Sequence, residues 1–144
     1  MVASPHFPLP IRGEWLSSRK FKLLEQFIYN DAEFDMLVVV PPGFVTDFNS
    51  SPRAVWAYFA PVDVLEAGVV HDWLYDHPDG FESLSYRPPL SKADCDRVHR
   101  RILELKGMRI TKRNTIYWLL RSAGFLAWNR HRRKDGELSK ILNN

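Results

Sequence analysis

His71 and Tyr75 stand four residues apart in the segment HDWLY, with Asp72 between them. At i and i+4 the histidine and tyrosine share one face of a helix, while Asp72 projects about 100° away. A histidine steadied by a carboxylate from another element can act as a general base on water. Asp72 suits a hard cation such as calcium, which takes oxygen ligands. A second segment, SKADCDRVHRR, offers carboxylates at Asp94 and Asp96. On a helix these point about 200° apart, so both are not expected in one site. The catalytic set read from these residues is His71, Asp94 and Tyr75, with Asp72 as a metal ligand. Each also has a purely structural reading. Asp94 can cap its helix, Tyr75 can cover the core with its hydroxyl in water, and a buried His-Asp-Tyr network can simply hold a fold together.

The elements that would position these groups follow from turn and periodicity signals. Residues 1–13 read as an irregular proline-rich arm. RKFKLLEQFIY and FDMLVVV, separated by Asn30-Asp31 and stopped by Pro41-Pro42-Gly43, read as a β-hairpin over 19–42. The segment GFVTDFNSSPR is turn-rich, and AVWAYFA is either a short helix or a covering loop. Pro61 opens a helix over 61–77 that Pro78-Asp79-Gly80 ends. Ser91 caps a second helix over 91–106, with Asp94 at N3 and Gly107 at its C-terminal end. A third runs over 111–131 with Ile116, Leu119, Leu120, Ala123 and Ala127 inward, and 132–144 is a basic tail. The expectation is one α+β domain, a small antiparallel sheet or hairpin followed by three helices.

At 144 residues the chain suits one domain. Cys95 alone excludes an internal disulfide and a cysteine-based zinc set. As a nucleophile it would have His99 at i+4, a common chance spacing. An HD-type metal phosphohydrolase needs an earlier ligand histidine, and only His6 in the arm precedes. There is no phosphate-binding glycine loop, no signal-peptide core and no apolar run long enough to span a bilayer, so synthesis in the cytoplasm is expected. Charge is divided unevenly. Residues 1–96 hold 7 Lys+Arg against 14 Asp+Glu, net −7, and residues 97–144 hold 13 against 3, net +10. The basic third suits lipid headgroups, nucleic acid or an acidic protein, through Arg130, Arg132, Arg133 and Lys134, or else a solvated helix face. Tyr117, Trp118, Phe125 and Trp128, interleaved with these cations, suit packing, a membrane interface or base stacking.

PVDVLEAGVVHDWLY followed by SKADCDRVHRRI resembles the two active-site helices of phospholipases A2, especially the short viral type. The resemblance implies His71 as base, Asp72 as calcium ligand, Asp94 as the carboxylate that orients the histidine and Tyr75 as its support. Asp96 is the rival for the orienting role. The glycine-rich calcium loop of those enzymes has no counterpart in SPRAVWAYFA, and the nearest oxygen-rich segment is Thr46 to Ser51. Only through this resemblance does Asp47 join Asp72 as a second metal ligand.

A second resemblance covers more of the chain. Gly43, Phe44, Thr46, Asp47, Phe48, Ser50 or Ser51, Pro52, His71, Asp72, Leu74, Tyr75, Ala93 and Asp94 fit the GFxTDFxSxP, HDxLY and AD segments of an uncharacterised bacteriophage and prophage family. That resemblance implies a phage setting: synthesis in the host cytoplasm, incorporation in the virion, and other phage structural proteins as partners. Two functions follow as expectations. One is a virion- or tail-associated hydrolase with His71 as base, with calcium as its cofactor. The other is a structural virion component in which the same network only holds the fold.

Overall fold

The computed structural model describes residues 4–48, 61–77, 90–123 and 125–142. The fold is α+β, with two small antiparallel sheets preceding the helices. Strands β1 (Gly13–Ser17), β2 (Lys20–Leu23) and β5 (Val45–Thr46) form one sheet in the order β1-β2-β5. Strands β3 (Phe27–Asp31) and β4 (Met36–Val40) form the other. Period-two alternation sends Phe21 and Leu23, Phe27 and Tyr29, and Met36, Val38 and Val40 into a common core.

The expected hairpin is present but differently cut. Arg19–Tyr29 is two strands, and Asn30 and Asp31 are paired with Leu37 and Met36 instead of making the turn. The turn lies at residues 32–35, where Asp35 takes φ +50°. Asp31 stays in the strand because its buried carboxylate accepts from the Tyr29 hydroxyl (2.9 Å), the Glu33 amide (3.1 Å) and Arg101 Nε (2.8 Å). Gly43 does match its signal. It adopts φ +87° and donates its amide to Leu23 O at 2.8 Å, which turns the chain into β5. The N-terminal arm is anchored where Phe7 packs between the rings of Phe27 and Tyr29.

A 3-10 turn (Pro61–Val64) leads into α1 (Leu65–Asp76), which is buried on every side from Leu65 to Tyr75. Such all-round burial makes α1 the central helix and erases the amphipathic stripe by which surface helices are recognised. Helix α2 (Lys92–Leu105) begins with the capping box Ser91/Asp94 and ends in a Schellman motif. There Gly107, at φ +80°, donates to Glu104 O and Met108 donates to Leu103 O, each at 2.9 Å. Pairing of Glu66 with Lys106 and of Tyr75 with Asp96 shows that α1 and α2 run antiparallel.

Two helices follow where one was expected: α3 (Ile110–Ala123) and α4 (Phe125–Leu142). Gly124, which stands between them in the sequence, lies outside the described residues. Helix also continues through most of the expected basic tail. The segment AVWAYFA, and residues 79–89 of the loop that the turn signals predict over 79–90, lie outside the described residues. Among the described residues no helix is long and apolar enough to cross a membrane.

Candidate functional site

Helix α1 turns His71 and Tyr75 toward α2, as their i, i+4 spacing requires, and both meet Asp96. His71 Nε2 lies 2.8 Å from Asp96 Oδ1, and the Tyr75 hydroxyl donates to the same oxygen at 2.8 Å. Two cations hold the other oxygen: Lys92 Nζ at 2.7 Å, one turn earlier on α2, and Arg121 at 3.3 Å from α3. Lys92 also donates to Leu120 O at 2.8 Å, which ties the cluster to α3. The ring of His71 is 1% exposed and Asp96 is 0% exposed.

Asp94 does not reach this cluster. Its carboxylate accepts from the Ser91 amide and hydroxyl and pairs with Arg97 at 3.1 Å on the outer side of α2. The orienting carboxylate beside His71 is therefore Asp96. The signal lay in the periodicity of α2. Asp96 shares its spacing with His99 and Leu103, which are buried, whereas Asp94 shares its spacing with Arg97 and Arg101. Lys92, Arg121 and His99 were not read from the sequence as members of the site.

Asp72, about 100° around α1, faces β5 instead. Its Oδ2 accepts from the Thr46 hydroxyl of β5 and from the Phe48 amide (3.2 Å). Phe48 holds φ +56°, so Asp72 fixes the strained end of β5. Asp47 is half-buried between these two residues. Asn49 to Pro52, the remainder of that segment, lie outside the described residues. Among the described residues no group of three or more histidine, cysteine or acidic side chains is gathered to hold a metal ion.

The electrostatics favour an ionised Asp96. Burial alone would raise its pKa, but hydrogen bonding to His71 and Lys92, together with their charge, holds it well below the usual carboxylate range. An ionised carboxylate only accepts, so His71 donates to Asp96 from Nε2. Burial, reinforced by the charge of Asp96, pushes the Tyr75 hydroxyl up, so it remains a donor. Cys95 is buried and its thiol is pushed up by desolvation and by Asp96, the opposite of an activated nucleophile.

His99 lies edge-on to His71, with ring centroids 5.2 Å apart, and its Nδ1 meets no partner among the described residues. Burial, with the neighbouring His71, lowers its pKa from 6.5 to about 3. Folding therefore needs His99 neutral. Its contribution is complete above the unfolded value of 6.5 and is lost as pH falls toward 3. Urea unfolding should show the wild type losing about 1.5 kcal/mol more than His99→Phe between pH 6.5 and pH 5. Parallel pH profiles would refute a neutral buried His99.

A family model described as a protein of unknown function (DUF1353) matches residues 21–120. The match runs from β2 into α3 and includes Thr46, Phe48, His71, Asp72, Tyr75, Lys92, Asp96 and His99. No curated protein and no solved structure matches the chain.

Proposed function

The chain belongs to this family of proteins of unknown function, and we propose that in its phage-type setting it is a hydrolase with His71 as general base. The observation that carries the reading is the 2.8 Å contact between His71 Nε2 and Asp96 Oδ1. It orients the His71 imidazole against a carboxylate that Tyr75, Lys92 and Arg121 also hold. In the reaction the His71 imidazole takes a proton from water as the oxygen attacks an ester or amide carbonyl carbon. The tetrahedral intermediate then collapses, and the proton passes from His71 to the departing alcohol or amine. An envelope phospholipid is the substrate that the likeness of the two helices to phospholipase A2 suggests. Association with the virion or tail, after synthesis in the host cytoplasm, is the setting that the phage-family resemblance supports. Calcium, the cofactor suggested by the same likeness, is kept as a variable of the test.

One observation favours a second reading. His71 and Asp96 are almost wholly buried, and Asp96 accepts from four side chains, as in a network whose task is to join α1, α2 and α3. Fatty-acid release from mixed phospholipid vesicles separates the two. Wild type should release fatty acid, and a folded His71→Ala variant should be slower by about 10²–10⁴-fold. Release that needs added calcium would place a metal beside Asp72. No release by folded wild type, with or without calcium, would end the lipolytic reading and leave the structural one.

A further inference from the structure

Helix α4 lies wholly beyond the family match, and its two sides differ. One side is committed to the site: Trp128 packs edge-on to Tyr75 at 5.2 Å, and Arg132 donates to the Tyr75 carbonyl while lying over the Trp128 ring. Arg132 is thus not part of the exposed basic surface expected from the sequence. The other side carries Leu126, Arg130, Arg133, Lys134, Lys140 and Ile141 on one stripe, all exposed. Only Glu137 opposes these four cations on the stripe. Leu126 is 79% exposed and Ile141 is 72% exposed, so each end of the cationic stripe is a large apolar side chain in water.

Single exposed apolar residues are ordinary. Here they bracket the cations along about 22 Å of helix, and that pairing selects among partners. A nucleic acid or an acidic peptide would neutralise the arginines and leave Leu126 and Ile141 in water. A phospholipid surface satisfies both, with phosphates against the cations and the apolar ends at the acyl boundary. The charge division of the chain, net −7 before residue 97 and +10 from there on, turns the same end toward a negative surface and the body away from it.

We infer that the exposed stripe of α4 docks on an anionic phospholipid surface, lying in its plane. The inference concerns binding and does not depend on His71 being a base. Its test is co-sedimentation of the full chain with vesicles of phosphatidylcholine alone, or with about one-third phosphatidylglycerol. The chain should sediment with the anionic vesicles alone and be released by high salt. Arg133→Glu with Lys134→Glu should weaken binding by about thirty-fold or more. Leu126→Ser with Ile141→Ser should also weaken it, with the fold of each variant verified by circular dichroism. Absence of binding to anionic vesicles, undiminished binding by either variant, or tighter binding to DNA than to vesicles would overturn the inference.

Discussion

Asp96→Ala is expected to destabilise the protein by about 3–5 kcal/mol, and Asp94→Ala by about 1 kcal/mol. The two aspartates are two residues apart on α2, but their surroundings are opposite. Removing the Asp94 carboxylate loses a capping box and an ion pair with Arg97 on the outer side of the helix, where water replaces them. Removal of Asp96 leaves the Lys92 ammonium buried against the Leu120 carbonyl and the face of the Phe125 ring, with no counter-charge among its described contacts, and strips the acceptor from His71 and Tyr75. The cost therefore comes mainly from the orphaned cation, which gives the prediction a sharper form. Asp96→Leu combined with Lys92→Met should recover much of the loss, because an apolar pair of similar volume often replaces a buried ion pair without penalty. Urea unfolding at pH 7 reads all of these. Equal costs for the two alanine variants, or no recovery in the double variant, would show that the cluster is not the electrostatic hub of the fold. The pH dependence has a fixed sign. Because the folded pKa of Asp96 is depressed, its contribution is present above the ordinary carboxylate range and is lost as pH falls below it.

The division between what the sequence discloses and what it hides follows from the range of each signal. Local rules carried α2 well: Ser91 as N-cap, Asp94 at N3 and Gly107 beyond the C-terminus are all in place, since capping involves only neighbouring residues. Helical spacing likewise put His71 and Tyr75 on one face and Asp72 on another. The partner of His71 was harder, because Asp94 and Asp96 sit in the same short motif and only burial separates them. Lys92 and Arg121 were invisible for a further reason. A lysine at a helix start reads as solvated, and nothing local reveals that Leu120 O and Asp96 will enclose it. In the sheets, alternation found the strands but misplaced the turn, because Asp31 is held in its strand by Arg101, seventy residues away.

Phe48 and Gly68 should behave as a coupled pair, with Phe48→Ala costing about 3–5 kcal/mol alone and Gly68→Ala about 1–3 kcal/mol. Gly68 lies in the middle of α1, a position where glycine is otherwise a disadvantage. Its reason is steric. A Cβ on Gly68 would come within 2.4 Å of the Phe48 ring, which is itself buried and stacked on Trp15 at 6.2 Å. The missing side chain of α1 thus makes room for the aromatic of the TDF segment. That approach carries the Phe48 amide and the Thr46 hydroxyl to Asp72, next to His71. Once Phe48 is alanine the obstacle to a side chain at residue 68 is gone, and the higher helix propensity of alanine remains. Gly68→Ala should then be neutral or stabilising in the Phe48→Ala background, a coupling of about 1–3 kcal/mol. Strict additivity in thermal or urea unfolding would mean that the ring does not rest on α1. In that case the link from β5 through Asp72 to the His71 face would lose its mechanical basis. With coupling of the expected sign, the glycine of α1 and the aromatic of TDF form one device: close packing of β5 on the central helix, with Asp72 as its latch.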